Sequence, residues 1–256
     1  MNGIVLQIVM PMAGRGERFR RSGECAVVKP LLSIEGRYFF EKALSSLAPL
    51  TSSLRSPCQI HAVIQRQHQD RFRLGDIVNR RVPGVVITML DGETKGPVDT
   101  VLQSSARLDP CQPLLVLDCD LYFESNDWTM RARETCFDQG ADGLLLSFTS
   151  SDSRYSYAQV GEAGNVIATA EKQVISDRAL IGCYLFAKAQ TFIDAAERIM
   201  KNPAPSALNE YYLSMVFSDA IAHGKRIECV ASDQFISFGT PEELEASEAK
   251  LKGQNP

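Results

Sequence analysis

The chain has 256 residues, of which 45% are hydrophobic and 23% are charged, as is ordinary for a soluble globular protein. Its 27 basic and 31 acidic residues give a net charge of −4, which argues against broad nucleic-acid binding. The N-terminal apolar run is short and lacks a basic flank, and no segment reaches about 18 consecutive apolar residues, so neither a signal peptide nor a membrane span is predicted. Seven scattered cysteines without a CxxC pair suit a reducing compartment, and we expect a cytoplasmic protein.

The first half of the chain alternates short apolar runs with longer amphipathic stretches. Strands are predicted at residues 4–10, 60–65, 85–90 and 114–117. Helices are predicted at residues 38–47, 68–79 and 98–107. Strands that alternate with helices indicate an α/β protein with a doubly wound, mostly parallel sheet.

The second half of the chain breaks this alternation. After a helix at 127–139, strands are predicted at 143–148, 158–160, 166–170 and 180–186. Helices at 189–200 and 211–223, a strand at 226–230 and a helix capped by Thr240 and Glu243 follow. Part of the sheet is therefore expected to be mixed, and the lack of a long linker favours one domain over residues 1–256.

A glycine- and arginine-rich loop at residues 11–19 follows the first predicted strand. Gly14 and Gly16 allow the backbone to approach a phosphate closely, and N–H groups at such a turn form an anion-binding nest. Arg15 and Arg18 add charged forks for phosphate oxygens. The spacing matches neither a Walker A loop nor the dinucleotide fingerprint. The alternative is a plain strand-to-helix turn with solvated arginines.

A lysine and two aspartates follow at positions that suit phosphate chemistry. Lys29 precedes Pro30, which restricts its backbone to extended forms and fixes a point charge. Asp118 and Asp120 stand at the carboxyl end of the strand at 114–117, where open α/β sheets bind ligands, and their spacing places them on one side. A divalent hard cation that bridges phosphate oxygens is the natural use of such a pair. A polar strand end is the alternative.

Three further segments carry candidate binding residues. The glycine-bearing loop from Asp91 to Gly96 is able to bring backbone groups against a nucleobase. Lys172, beside Glu171 at the end of a predicted strand, suits a second phosphate. Glu210 opens a helix and suits a metal or an acceptor. The structural alternatives are a capped helix start, a solvated charge pair and an ordinary acidic first turn.

Together these segments resemble the nucleoside-diphosphate-sugar pyrophosphorylase, or sugar nucleotidyltransferase, family. The resemblance covers nearly the whole chain and rests on "GRGERF" followed by "KPL", and on "GETKGPVDTVL", "LLVLDCDLYF", "ATAEK", "NEYYLSMV" and "FGTPEEL". It is greatest for a short subgroup of surface-polysaccharide clusters that includes cytidylyltransferases. It implies a Rossmann-like, GT-A-like nucleotidyltransferase fold, with NTP bound by residues of about 1–125 and the acceptor by about 126–250.

The resemblance also implies a reaction, in which an NTP and a phosphorylated acceptor give an NDP-linked product and pyrophosphate. The catalytic residues would be Arg18, Lys29 and Asp120. The nucleotide would be bound by Ala13, Gly14, Arg15, Gly16, Asp91, Gly96 and Asp118. The acceptor would be bound by Glu171, Lys172 and Glu210, and Mg²⁺ by Asp120 and Glu210. No nucleic acid or membrane partner is expected, and a homodimer is left open.

One departure from the family pattern concerns the second metal ligand. Many family members carry an Asp just before the late Gly-Thr, where this chain has Ile236-Ser237-Phe238 ahead of Gly239-Thr240. Either Glu210 takes over or the metal has fewer protein ligands. Two alternatives therefore stay open, which are a catalytically silent nucleotide-binding relative and a glycosyltransferase of the GT-A type.

Overall fold

The structure is a computed structural model that describes residues 5–14, 16, 19, 28–54, 56–137 and 140–252. The strands are β1 (Leu6–Pro11), β2 (Ser33–Ile34), β3 (Arg37–Tyr38), β4 (Cys58–Gln65), β5 (Val86–Leu90), β6 (Leu114–Leu117), β7 (Leu121–Glu124), β8 (Gly143–Thr149), β9 (Ser156–Val160), β10 (Val166–Glu171), β11 (Arg178–Phe186), β12 (Ile227–Ala231) and β13 (Gln234–Ser237). The α-helices are α1 (Phe39–Ser45), α2 (Ala48–Leu54), α3 (Arg66–Phe72), α4 (Leu74–Arg81), α5 (Pro97–Leu102), α6 (Asn126–Cys136), α7 (Ala189–Met200), α8 (Leu213–Ala222) and α9 (Pro241–Lys252).

A nine-stranded mixed sheet forms the centre of the protein, in the order β10-β9-β11-β6-β1-β4-β5, with β8 beside β11 and β12 beside β8. β6, β1, β4 and β5 run parallel to one another. β11 is antiparallel to both β6 and β8, so the direction changes where the second half of the chain joins the sheet. The predicted α/β fold with a doubly wound, mixed sheet is confirmed.

Both faces of this sheet are buried, and β1 shows how the sequence produces that burial. Leu6, Ile8 and Met10 belong to one hydrophobic core, whereas Val9 belongs to a second core that includes Val63 of β4. Because successive strand residues point to opposite faces, a continuous apolar run suits a strand covered on both sides. None of the helices in the described residues combines the length and the apolar character that crossing a bilayer requires.

The predicted helix at 68–79 is wrong in one respect, because two helices occupy this stretch. They meet at Arg73, whose φ of 56° is left-handed. The second helix begins there because the Gln69 side chain accepts a hydrogen bond from the Gly75 N–H at 2.8 Å, and because Arg73 pairs with Asp76. The Gln69 side chain thus satisfies one of the N–H groups that the start of a helix leaves without an intrahelical partner.

A small two-stranded sheet of β7 and β13 also lay outside the predicted elements. It pairs Ser237 with Leu121 and Gln234 with Glu124. The Phe238 N–H then donates to the Asp120 carbonyl at 3.1 Å. This pairing brings Gly239, near the C-terminal end of the chain, beside the end of β6.

His61 provides a test of how burial affects stability with pH. It is fully buried in β4, and its Nδ1 has no hydrogen-bond partner in the part of the chain that the structure describes. Burial, and secondarily the charge of Arg107, lower the pKa of His61. The unfolded chain therefore binds the proton more readily, and the free energy of unfolding falls as pH drops through about 6.5. Denaturant titrations across this range should show His61→Gln with a weaker pH dependence than the wild type; equal dependence would contradict this role.

Candidate active site

A cavity of about 690 Å³ lies at the carboxyl ends of β1, β4 and β6. Ligands of open α/β sheets bind at this edge. The structure brings together there, from among the residues singled out in the sequence, Ala13, Gly14, Gly16, Lys29, Gly96, Asp118, Asp120 and Glu210. These residues span most of the chain length, so the sheet topology assembles the site.

The loop after β1 forms one wall of this cavity. The Met12 N–H donates to the Val63 carbonyl at 2.8 Å, and Gln65 Nε2 donates to the Ala13 carbonyl at 3.1 Å. The end of β4 therefore holds the start of the loop in place. A Cβ added at Gly14 would meet nothing within 4 Å, and Gly16 has a left-handed φ of 62°. Backbone here is open to a ligand, as an anion-binding turn requires.

Two of the predicted phosphate-binding residues cannot be placed. Arg15 and Arg18 lie outside the described residues. Gln65, by contrast, was not singled out in the sequence, although it lines the cavity. Its position at the end of a buried strand was the available signal, because side chains at that edge of a parallel sheet face the ligand.

Lys29 and Asp120 form an ion pair in the floor of the cavity, between Nζ and Oδ2. Burial on its own would lower the pKa of Lys29, but the charge of Asp120, followed by Cys119 and Asp118, raises the pKa above its usual value. The lysine therefore stays protonated at neutral pH. The ammonium also lies 6.0 Å from the ring centroid of Phe19.

Gly239 lies directly against this ion pair. A Cβ added at Gly239 would come within 2.9 Å of Asp120 Oδ2 and 3.6 Å of Lys29 Nζ. The Gly239 N–H donates to Glu243 Oε2 at 3.0 Å, and the Ser237 hydroxyl donates to the same oxygen at 2.7 Å. The segment from Ser237 to Gly239, where the family pattern predicts an aspartate, is therefore hydrogen-bonded to the carboxylate of Glu243 in α9.

Asp118 lies beside Asp120 in the cavity lining, as the spacing of the two residues predicts. Burial first, and then the charge of Asp120, raise the pKa of the Asp118 carboxyl to about 7, against the opposing effect of Lys29. Its backbone N–H donates to the Gly182 carbonyl at 2.8 Å, and a Cβ added at Gly182 would lie only 2.2 Å from Asp118 Oδ2. The glycine thus makes room for the carboxylate.

Gly96 joins the loop after β5 to the segment before α8. Its φ of 109° favours glycine, and an added Cβ would lie 2.8 Å from the Tyr211 carbonyl oxygen and 3.0 Å from Glu210 Cβ. The Tyr211 N–H donates to the Lys95 carbonyl at 2.8 Å, and the Val98 N–H donates to the Tyr211 carbonyl at 3.1 Å. These bonds place Glu210 beside Gly96 in the cavity wall.

Asp91 occupies a different position from the rest of its loop. Its side chain is 75% exposed and pairs with Arg66, whose hydrogen bond and charge lower the pKa of the Asp91 carboxyl. It does not appear in the lining of the cavity among the described residues. Glu93 and Thr94 of the same loop line the cavity instead.

A second cavity of about 200 Å³ adjoins the first and shares Pro97, Asp118, Asp120 and Gly239 with it. Glu171 lines this cavity, and its carboxylate accepts hydrogen bonds from the hydroxyls of Ser156 and Ser214. Burial raises the pKa of Glu171, and these hydrogen bonds oppose the rise.

Lys172 lies next to this second cavity and makes contact with one of its walls. Its Nζ donates to the Tyr212 hydroxyl at 2.8 Å and lies 4.6 Å from the centroid of the Tyr212 ring. Tyr212 lines the cavity, whereas Lys172 is exposed and does not line it. Glu171 and Lys172 therefore lie at the same end of β10, but of the two it is Glu171 that lines the cavity.

Comparison with protein-family models gives no match, and comparison with curated protein sequences gives none. Solved structures do match. The nucleoside-diphosphate-sugar pyrophosphorylase of Vibrio cholerae is similar with a TM-score of 0.76 and 22% identity, over 94% of this chain and 99% of that one. A Bacillus anthracis structure assigned as a glucose-1-phosphate thymidylyltransferase, in complex with a sucrose, has a TM-score of 0.73 and 19% identity, over 98% and 97%.

A UDP-glucose pyrophosphorylase complexed with UDP-glucose is similar to the same degree, with a TM-score of 0.73, 19% identity and coverage of 98% of this chain and 100% of that one. At these identities the likeness shows the fold. The chain has the Rossmann-like fold of the nucleotidyltransferases, as the sequence resemblance implied.

Proposed function

We propose that the protein is a nucleotidyltransferase that transfers NMP from an NTP to a phosphorylated acceptor and releases pyrophosphate. One observation carries this proposal. A cavity that joins the open backbone at Gly14 to Lys29 and the Asp118–Asp120 strand end adjoins a second cavity across the wall that contains Asp118, Asp120 and Gly239. Two substrates, one on each side of this wall, would meet at the carboxylates.

The proposed chemistry is a single in-line displacement. An oxygen of the acceptor's phosphate attacks the α-phosphorus of the NTP, the bond between α-phosphorus and the bridging oxygen breaks, and pyrophosphate leaves with that oxygen. The loop at Gly14 and Gly16 would hold the triphosphate with Arg15 and Arg18, and Lys29 would offset charge at the α-phosphate. No covalent enzyme intermediate is needed, because positioning and charge neutralisation supply the rate.

Mg²⁺ is the proposed cofactor, and the donor chemistry in the first cavity fits it. Hard oxygen ligands from one or two carboxylates, completed by substrate phosphates, are the usual protein environment of this ion. Asp120 and Glu210, which both line this cavity, would hold it. Among the described residues no cluster of three or more potential ligands forms a site independent of substrate. Bound Mg²⁺ would neutralise charge on the phosphate oxygens.

A sugar phosphate is the acceptor we propose, in a pathway that supplies precursors for surface polysaccharides in the cytoplasm. The names of the structurally similar proteins refer to sugar nucleotides and sugar phosphates, which supports this class of acceptor. The second cavity has a matching character, because the polar residues Glu171, Ser156 and Tyr212 are part of its lining. Sugar hydroxyls pair with such groups.

A catalytically silent nucleotide-binding relative is the second candidate. The observation in its favour is that Gly239, not a carboxylate, lies against the ion pair of Lys29 and Asp120. The nearby carboxylate of Glu243 is already bonded to Gly239, Ser237 and Arg154. If this carboxylate cannot serve a metal, turnover would be lost and NTP binding kept.

The experiment that separates the two candidates has two stages. Thermal unfolding with CTP, GTP, UTP or dTTP and Mg²⁺ identifies the base, because a bound ligand stabilises the folded state by mass action. Pyrophosphate release is then measured with that NTP and a panel of sugar 1-phosphates. Release that needs both substrates supports the transferase. Stabilisation by an NTP without release on any acceptor would contradict it and favour the silent relative.

A further inference from the structure

The second cavity has an unusual balance of charge for a site that must accept a phosphate. Among the described residues that line it, the acidic ones are Asp118, Asp120, Glu171 and Glu243, and the basic one is Arg154. Carboxylates repel an anionic acceptor that enters this cavity, so a basic side chain in contact with the acceptor would favour its binding.

The sequence predicts that Lys172 binds the acceptor, but Lys172 lies farther from the second cavity than Arg154 does, because it is not among the lining residues. Its ammonium is bound by the Tyr212 hydroxyl and lies outside the cavity lining, whereas the Arg154 side chain forms part of the wall. Arginine is also the better shape for the task, because its planar guanidinium binds phosphate oxygens through two parallel hydrogen bonds.

The Arg154 guanidinium is held before any ligand arrives. Its Nη2 lies 2.9 Å from Glu243 Oε1, its Nε lies 3.0 Å from Asp152 Oδ2, and its centre lies 4.8 Å from the centroid of the Tyr155 ring. The side chain is nevertheless 43% exposed. A side chain fixed on three sides loses little conformational entropy on binding, and a guanidinium has five N–H donors of which these ion pairs engage only part.

Arg154 is also connected to the wall between the two cavities. The second oxygen of Glu243 accepts the Gly239 N–H, and Gly239 lies against Asp120 Oδ2. One carboxylate therefore separates the guanidinium from the wall where the acceptor phosphate must meet the NTP.

We infer that Arg154 binds the phosphate of the acceptor in the second cavity, held in position by Glu243, and selects anionic acceptors over neutral sugars. This inference rests on the proposed function, which supplies the need for a phosphorylated acceptor. The competing role for Arg154 is a purely structural one, as the counter-charge of Glu243.

The test measures acceptor binding without turnover. Glucose 1-phosphate, galactose 1-phosphate and mannose 1-phosphate are titrated calorimetrically into the wild type in the absence of NTP, with glucose as the neutral control. At least one sugar phosphate should bind. Arg154→Met should weaken that binding by about tenfold or more, Arg154→Lys should weaken it less, and Arg131→Met should leave it unchanged, because Arg131 is an exposed partner of Glu134 on α6.

A double-mutant comparison separates the binding role from the structural one. In the Glu243→Gln background the ion pair with Glu243 is already lost, so a role as the counter-charge of Glu243 predicts no further effect of Arg154→Met on acceptor affinity. A binding role predicts a further loss of about tenfold, with the affinity for NTP kept.

Unchanged binding in folded Arg154→Met, or no binding of any of the three sugar phosphates to the wild type, would overturn the inference. Failure of the proposed function looks different. Sugar-phosphate binding that depends on Arg154, in a protein that releases no pyrophosphate with any NTP, would contradict nucleotidyl transfer and leave the role of Arg154 intact.

Discussion

Asp120→Asn should lower metal-dependent turnover by at least about 100-fold while the protein stays folded. The substitution keeps the shape of the side chain but removes the charge that pairs with Lys29 and that would hold Mg²⁺. The side chains of the pair are mostly buried, with 23% of the lysine and 22% of the aspartate exposed, so leaving the ammonium without its partner should cost about 1–3 kcal/mol of stability. The measurement is kcat for pyrophosphate release beside a thermal unfolding curve.

Asp127→Asn is the matched control. Asp127 is exposed in the first turn of α6, in the same half of the chain but outside both cavities. The Asp127→Asn variant should have the same kcat as the wild type. Near-normal activity of Asp120→Asn, at any Mg²⁺ concentration, would remove Asp120 from the metal site and with it the chemistry proposed for the cavity.

Gly182→Ala should have the second large effect, because there is no space for a methyl group at this point of β11. The added Cβ would lie 2.2 Å from Asp118 Oδ2 and 2.8 Å from Asp118 Cβ, so the carboxylate must move. Overpacking of this kind costs about 1–3 kcal/mol of stability. Moving a group that positions a substrate by about 1 Å can lower the reaction rate by about 100-fold. We therefore expect kcat of Gly182→Ala to fall by about 10- to 100-fold.

A double-mutant cycle with Asp118 shows whether the clash is the cause. Once Asp118→Gly has removed the whole side chain, the further change Gly182→Ala should cost little, because the three closest contacts of the added Cβ are all atoms of the Asp118 side chain. Gly161→Ala provides a control outside both cavities, since its added Cβ would lie 2.9 Å from Ile167 Cγ2, and it should leave kcat unchanged. Additive losses in the cycle would mean that Gly182 acts on the site by another route.

The core of the fold was predictable because its signals are local. The strand at 114–117 was predicted with the bounds of β6, and the helix at 189–200 with those of α7, since continuous apolar runs and helical periodicity specify such elements without tertiary context. β7 and β13 were not predicted, because each has four residues and forms only by pairing with the other across the chain. Pairing between distant segments leaves little pattern in either one.

The candidate site divides in the same way. Gly14, Gly16 and Asp120 were identifiable because glycine-rich turns and strand-end carboxylates have a chemical meaning that does not depend on the rest of the fold. Gly182 and Arg154 were not identified, because their roles arise from contact with Asp118 and Glu243, which are distant in sequence. An isolated glycine within an apolar strand was the one usable signal for Gly182, since it marks close approach of another group.

The most direct test of the account is the stoichiometry of the reaction. The protein is incubated with the NTP that stabilises it, Mg²⁺ and the sugar phosphate that it binds, and pyrophosphate and the nucleotide-linked product are quantified in the same sample by mass spectrometry. Equal amounts of pyrophosphate and NDP-sugar should form, and no reaction should occur when either substrate is omitted. Binding of both substrates without formation of pyrophosphate and NDP-sugar would contradict nucleotidyl transfer.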